Sequence, residues 1–474
     1  MSIVTRATAP SLLGGSLELP VAPCRHGEAR SVRPWTGEDG TAGTVAVVGA
    51  GKMGLPLCGQ FASHGWNVIA VDVNPAVVEA INAGRSHVGE EPGLAELVAS
   101  AHAAGRLRAT TDGAAASQEA DVVVLIVPVM LDDEQQPDYR YMAPAVESIA
   151  PGVHEGSLVI FETTLPIGDT RNRFTPRLEA VSGLRADADF FVAFSPERLY
   201  SGAALRNLAM YPKLVGGLGP ASTERAARFY ASVLDADIVA MSSAEAAEFS
   251  KLADTTYRDV NIAFANELAR VAERVGVDIG EVIAAANSQP YSHIHQPGIG
   301  VGGHCIPVYP HFLLANQPDL ALVQTSRRVN DGQVAHAVNE IIRLLGSLDG
   351  VPVLVLGLTY RHGVKELAYS RALPLIERLR MQGADVYAHD PLLSRDEVAA
   401  LGVAPWEPGD EAPFRVVVTQ TGDPAWGRLD WPAFGALDVV YDGRSSLEGV
   451  KLPPRAVRVG VGLPASMPAA VSAG

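Results

Sequence analysis

Thr44-Val45-Ala46-Val47-Val48-Gly49-Ala50-Gly51-Lys52-Met53-Gly54, TVAVVGAGKMG, decides how the rest of the chain is read. Five residues rich in β-branched side chains predict a buried strand. The glycine turn leads into an apolar stretch through Ala62 that predicts a helix. The next run, Asn67 to Val71, ends in Asp72, 23 residues after Gly49. A strand, a G-x-G-x-x-G turn, a helix and an acid at about that distance together form a dinucleotide fingerprint. Gly49, Gly51 and Gly54 let the turn approach a pyrophosphate seated on the helix N-terminus, with Lys52 and Met53 beside it. Asp72 would accept from a ribose 2′-hydroxyl and repel a 2′-phosphate, so the cofactor expected is NAD rather than NADP.

Strand–helix alternation continues outward from this turn. Buried strands are predicted over Asp121–Val127, Ser157–Phe161 and Phe190–Phe194, with a helix over Tyr141–Ile149. In a doubly wound sheet, functional groups collect at the carboxyl ends of strands. At those ends stand Val127 and Pro128, Thr163 and Thr164, and Glu197 and Arg198. Val127, Pro128 and Thr164 are assigned to the cofactor. A second α/β unit begins at Val351–Leu356 with Gly357, followed by strands near Val386–His389, Arg415–Thr419 and Val439–Asp442. It lacks a clean glycine fingerprint, which predicts a Rossmann-like half for a different ligand. The fold class is thus α/β, with two doubly wound, Rossmann-like domains joined by a central helical region.

Between the two halves, Ala244–Val275 carries apolar residues at three and four spacing, too long for one ordinary helix of a small domain. It predicts a long central helix and, through it, a homodimer. Lys251, Thr255 and Arg258 share one of its faces. Then comes Gln296–Pro310, QPGIGVGGHCIPVYP, which sets Cys305 behind Gly302, Gly303 and His304. A glycine loop gives ligands close access to the backbone, and a thiolate there would be a nucleophile beside a held substrate. Ser326–Leu345 predicts one further helix. The expected units are a tail over 1–43, an NAD-binding domain over 44–238, a central region over 239–345 and a second Rossmann-like half for a different ligand over 346–474, whose last dozen residues are expected to fray.

Composition limits the partners. Hydrophobic content of 47% and charged content of 19% are those of a soluble globular protein. A formal net charge of -16 argues against a nucleic-acid surface. Cys24, Cys58 and Cys305 show no paired spacing, so neither a disulfide framework nor a metal site is expected. No apolar run is long enough to span a membrane. No secretory leader pattern is present, which predicts a cytoplasmic protein.

From about Val45 to Arg444 the chain resembles the UDP-glucose/GDP-mannose dehydrogenase family. Within it, the UDP-N-acetylmannosamine and UDP-N-acetylglucosamine 6-dehydrogenases are most alike. The resemblance is carried by GAGKMG, ETTLPIG, SPERLYSG, KLADTTYRDVNIAFANELA, GVGGHCIPV, VLGLTYR and YDGR. It implies an NAD-dependent oxidation of a UDP-hexose at C6 to a uronic acid through a thiohemiacetal and a thioester on Cys305. Lys251 then matches a residue suited to an oxyanion. Glu197 matches one suited to acid–base work, and Thr255 is placed with them. The resemblance puts Glu197, Arg198, Lys251, Arg258, Gly302, Gly303, Tyr309, Tyr360, Arg361 and Arg444 on the substrate. Surface polysaccharide and secondary-metabolite pathways both use such sugars.

Four positions depart from the family pattern. Tyr309 stands four residues after the cysteine in place of an aspartate, and Thr255 replaces an asparagine. Val129 replaces a threonine, and Ala368 in Lys365–Ser370 replaces an arginine. They leave open a divergent enzyme that oxidises a different sugar or nucleoside or stops after two electrons, and a nucleotide-binding protein that keeps only the fold.

Overall fold

A computed structural model describes residues 43–89, 91–198 and 202–466. The expected N-terminal tail lies outside the described residues except for Gly43, where a Cβ would crowd Asp121 and Trp66. The first sheet comprises β1 (Thr44–Val48), β2 (Asn67–Val71), β3 (Leu107–Thr110), β4 (Val122–Leu125), β7 (Leu158–Phe161), β8 (Phe191–Phe194), β9 (Lys213–Gly217) and β10 (Ile238–Ala240). A small hairpin, β5 (Met130–Leu131) and β6 (Pro137–Asp138), leaves the sheet after β4. The strand order is β10-β9-β8-β7-β4-β1-β2-β3. All pairings are parallel except β8 with β9. Alternate residues of each strand serve opposite faces. Val45 and Val47 therefore join Phe61 and Phe229 in one core, while Ala46 and Val48 join Phe161 and Phe174 in the other. Burial on both faces explains the unbroken apolar runs.

The second sheet comprises β11 (Pro352–Leu356), β12 (Asp385–His389), β13 (Ala404–Pro405), β14 (Val416–Thr419), β15 (Val439–Asp442), β16 (Val457–Gly460) and β17 (Leu463–Ser466). Its order, β13-β12-β11-β14-β15-β16-β17, repeats the winding of the first sheet, with the reversal point between β11 and β14. The expectation that the last dozen residues fray is corrected at Leu463–Ser466, which pairs antiparallel with β16; residues 467–474 lie outside the described residues.

Helix Ala244–Val275 runs 32 residues, about 48 Å at 1.5 Å per residue. Ser243 caps its start, its hydroxyl accepting from the Ala246 amide, and Gly276 ends it at φ 76°. Its length has a packing cause. Ala247 and Leu252 sit in the core of the first sheet, and Ala269 and Ala272 sit in that of the second. One helix thus serves both halves. The single helix expected over Ser326–Leu345 is corrected to two, Ala321–Asp331 and Gln333–Leu345. Gly332, with ψ near -10°, interrupts them. The interruption frees Gln333 to accept from Arg270 at 2.6 Å and Asp331 to meet both Arg327 and Arg371.

Gly54 is where helix and strand come closest. A Cβ there would overlap the Gly49 carbonyl oxygen. Gly54→Ala should destabilise the protein by about 1–3 kcal/mol through overpacking. Urea denaturation followed by circular dichroism measures this, with the exposed Gly435→Ala, which has open space around it and no left-handed backbone, as the comparison.

Candidate functional site

The glycine turn has the features a pyrophosphate needs. Gly49 takes φ 98°, and a Cβ on it would press on Ile126 and on Val127, which lines the turn. A Cβ on Gly51 would meet nothing within 4 Å, so its missing side chain leaves an open approach. Helix Gly54–Ser63 begins at Met53 with no side-chain cap. Its first N–H groups are therefore available to an anion. Asp72 accepts from the amides of Ala50 at 3.1 Å and Asn74 at 2.9 Å and remains half-exposed at the end of β2, with acceptor capacity to spare for a ribose hydroxyl. The residues present fit NAD. Pro128 is exposed beyond Val127, and the Val127 carbonyl accepts from the Thr163 hydroxyl at 2.6 Å.

The second half repeats the turn with a different outcome. Gly357 takes φ 95° and its amide bonds the His389 carbonyl at 2.8 Å, as the Gly49 amide bonds the Val71 carbonyl at 2.8 Å. The acid after β12, Asp390, is consumed: it accepts from the amides of Leu358 and Thr359 and from the Thr359 hydroxyl at 2.7–2.9 Å. A carboxylate so occupied and buried cannot also hold a ribose.

The cysteine loop lies between the halves. Its glycines are required by the second half, not by an open ligand channel. A Cβ on Gly298 would strike the Arg444 guanidinium, one on Gly300 would meet Arg371, and those on Gly302 and Gly303 would meet Tyr360. Arg444 donates to the Gly300 carbonyl at 2.8 Å, and Asn266 of the long helix accepts from the Gly298 amide at 2.9 Å. Arg361 bonds the Tyr360 hydroxyl at 3.0 Å. The loop is thereby held to the residues proposed for the substrate. It also reaches the cofactor turn: Glu366 lies 3.5 Å from His304 Nε2 and 3.3 Å from Lys52 Nζ. The His304 contact above all holds the Glu366 carboxyl down to about 2.

Around Cys305 the chain gathers Lys251, Tyr309, Thr164 and Glu197. Lys251 is 5% exposed, faces Cys305 and Glu197, and has its Nζ 5.9 Å from the Tyr309 ring centroid. Burial pulls its ammonium below the ordinary value, against the opposing pull of Cys305 and Glu197. The Tyr309 hydroxyl is in polar contact with Thr164 and with the thiol, and burial together with the facing thiol pushes its pKa well up, so it is a neutral donor. Glu197 lies beyond Lys251, its Oε1 accepting from the Arg198 amide at 2.5 Å and its Oε2 3.2 Å from Lys213.

Three of the sequence-predicted residues bond to groups outside this cluster or along their own helix. Thr255 is fully buried and its hydroxyl bonds the Lys251 and Leu252 carbonyls of its own helix at 3.0 and 3.1 Å. Arg258 pairs with Asp254 at 3.0 Å, one turn away on the same helix. The Arg198 side chain turns to the Pro212 carbonyl. Sequence reading missed Glu162, Lys213 and Tyr230, which back Glu197; Lys213 and Tyr230 lie in an ordinary strand and helix and carry no motif. Cys58 is buried in the first core, where burial pushes its thiol up to about 12, and is chemically inert.

A glycine turn built for NAD beside a second nucleotide-type half defines a dinucleotide-dependent dehydrogenase. Three family profiles match: the UDP-glucose/GDP-mannose dehydrogenase NAD binding domain over residues 43–234, the central domain over 245–332 and the UDP binding domain over 354–449. The chain belongs to the UDP-glucose/GDP-mannose dehydrogenase family, as an NAD-dependent nucleotide-sugar dehydrogenase. It is 33% identical over 418 residues to UDP-N-acetyl-D-mannosamine dehydrogenase of Pyrococcus horikoshii, covering 86% of this chain and 96% of that one. It is 36% identical over 346 residues to NDP-N-acetyl-D-galactosaminuronic acid dehydrogenase of Ralstonia nicotianae, covering 72% and 80%. Among solved structures, UDP-D-ManNAc dehydrogenase of Pyrococcus horikoshii superposes with a TM-score of 0.80 at 32% identity, covering 88% and 99%. No helix among the described residues is long and apolar enough to cross a membrane.

Because Gly51 faces open space and contributes nothing to packing, Gly51→Val should leave thermal stability within about 0.5 kcal/mol of the parent while abolishing measurable NAD binding by calorimetry. Loss of both would contradict this placement.

Proposed function

We propose that the protein oxidises the C6 alcohol of a UDP-N-acetylhexosamine, of the ManNAc or GlcNAc type, to the carboxylate through covalent intermediates on Cys305. The observation that carries this is the joint placement of Cys305 and Tyr309 after the loop, Lys251 on the long helix and Glu197 beyond β8, with His304 of the loop joined through Glu366 to Lys52 of the cofactor turn. NAD, when bound, accepts a hydride from the reacting carbon in each of two oxidations. The chain's own groups do the rest. Glu197 takes the proton from the alcohol. The Cys305 sulfur bonds to the aldehyde carbon, and its oxygen takes up a proton as a thiohemiacetal. Lys251 offers an ammonium to that oxygen as charge develops. Glu197, having returned its first proton to that oxygen, takes it back as hydride leaves to give a thioester, and passes it to solvent. Water then attacks the carbonyl and gives one proton to Glu197; the carbon–sulfur bond breaks, and the new carboxyl's proton passes to the departing thiolate, leaving carboxylate and thiol.

Tyr309 shapes this cycle. A phenol four residues from the cysteine adds a donor but no carboxylate, which leaves water activation to Glu197. Arg361 and Arg444 are suited to the diphosphate, a guanidinium fork matching its oxygens; the Arg444 guanidinium donates to the Gly300 carbonyl, and burial pulls its pKa down. Gly302, Gly303 and Tyr360 would border the same nucleotide. The units taken for these tasks are 44–238, 239–345 and 346–474. The protein works as a homodimer: Tyr257, Phe264, Val271 and Val275 expose an apolar stripe along the long helix, of the kind a second copy covers. A reduced thiol and an NAD supply suit the cytoplasm.

Two equivalents of NADH per UDP-sugar, with a uronic acid by mass spectrometry, are expected across a panel of UDP-, GDP- and dTDP-sugars. One equivalent with an aldehyde or ketone product would favour the two-electron alternative that Tyr309 raises. Cys305→Ala should reduce net NADH formation by at least about 10³-fold, as loss of a covalent nucleophile does. Phe264→Asp should shift the mass by light scattering from dimer to monomer; an unchanged parent mass of one chain would contradict the dimer.

A further inference from the structure

Behind Glu197 lies a second carboxyl that the cycle above does not use. Glu162 ends β7 with no exposure at all, and its side chain meets three groups from three different elements. Tyr230, on helix Pro220–Val233, donates its hydroxyl to Oε1. Lys213, on β9, stands 3.1 Å from Oε2 and 3.2 Å from Glu197 Oε2. Glu197 itself, beyond β8, is in side-chain hydrogen-bond contact with it, and its amide donates to the Glu162 carbonyl at 3.2 Å. Lys251 faces the pair from the thiol side, on Glu197. The pair holds two carboxyls against one cation that lies within 3.2 Å of both. Two ionised carboxylates cannot be carried there. Glu162 Oε2 accepts no well-formed hydrogen bond. Two carboxyls in hydrogen-bond contact hold a proton between them, because a carboxylate oxygen without one can only accept.

Resting on the reading of Glu197 as the base, we propose that Glu162 is a positioning residue: it keeps one proton, donates it to Glu197, and with Lys213 holds Glu197 ionised and aimed toward Lys251 and Cys305. The charges then close as one carboxylic acid, one carboxylate and one ammonium. Burial first, then the neighbouring Glu197 charge, pushes the Glu162 carboxyl up, against the pull of Lys213. Burial opposes ionisation of Glu197 too, but Lys213, the Glu162 proton and the Arg198 amide outweigh it and hold that carboxyl low. The sign follows. At neutral pH the proton is on Glu162; as pH rises above neutrality Glu162 ionises, two like charges face each other, and Glu197 loses its donor.

The first test needs no substrate. Difference infrared spectra of the ligand-free protein should show a protonated-carboxyl carbonyl band at neutral pH that fades on the alkaline side and is missing in Glu162→Gln. No such band, or a band that survives in Glu162→Gln, would overturn the proposal. The second test is kinetic. Glutamine still donates to Glu197 and accepts from Tyr230 but has no proton to lose. Its kcat at neutral pH should therefore fall by less than about threefold, whereas Glu162→Leu should lose at least about tenfold, a fraction of what a misplaced base costs. The alkaline fall in kcat of the parent should be missing in Glu162→Gln, with KM unchanged; a retained alkaline fall would overturn the proposal. Tyr230→Phe, measured alongside, removes a donor that favours the ionised form and should move the infrared titration to higher pH; an unmoved titration counts against it. A parent enzyme that forms no NADH with any nucleotide sugar would defeat the proposed function and leave the infrared result to stand by itself.

Discussion

The arrangement depends on one constraint: a stretch of loop without side chains is clamped between two halves of the chain. Gly298, Gly300, Gly302 and Gly303 are bare because Arg444, Arg371 and Tyr360 occupy the space their side chains would fill. Asn266 and Arg444 then fix the loop backbone by hydrogen bonds to Gly298 and Gly300. Side chains of either half that crowd a glycine give it no freedom to move, so the residues that follow are placed as well. Cys305 is the first reactive group after the clamp, and its carbonyl accepts the amides that start the next helix at Tyr309. The thiol is held from both sides along the chain.

The two halves share one winding and divide the labour through small differences at equivalent places. Each has a left-handed glycine after its first strand and an acid after its second. In the first half Gly51 opens onto space and Asp72 keeps acceptor capacity, a setting for a dinucleotide. In the second, Asp390 is spent on its own turn, and the cationic groups come instead from Arg361 and Arg444. The long helix joins the cores beneath both and delivers Lys251 to the seam. Lys52, Glu366 and His304 close the seam above it. Tyr309 faces the thiol with a phenol, and Glu197, backed by the buried Glu162, faces Lys251 from the other side.

Much of this was legible in the sequence, for a physical reason in each case. Periodicity revealed the long helix and most strands, because burial on two faces leaves continuous apolar runs. The fingerprint through Asp72 was legible because only glycine tolerates the turn at Gly49 and the contact at Gly54. Cys305, Lys251 and Glu197 stood out through their motifs. What stayed hidden depends on contacts distant in the chain. Lys213 and Tyr230 reach Glu162 across the sheet, with nothing local to mark them. The second turn at Gly357 was unreadable as a fingerprint because the later glycines are absent. What crowds the loop glycines stayed hidden because Tyr360, Arg371 and Arg444 lie more than fifty residues further on. The break at Gly332 was missed because a lone glycine within a helical pattern does not by itself end a helix.

The most direct measurement is rapid-quench mass spectrometry of the parent enzyme turning over a UDP-N-acetylhexosamine with NAD. Acid-quenched samples from the first turnover, digested and sequenced, should carry a substrate-derived acyl group on the peptide containing Cys305, rising and then decaying as free uronic acid appears. Uronic acid that accumulates with the Cys305 peptide unmodified at every time point, or with the adduct on another residue, would contradict the account.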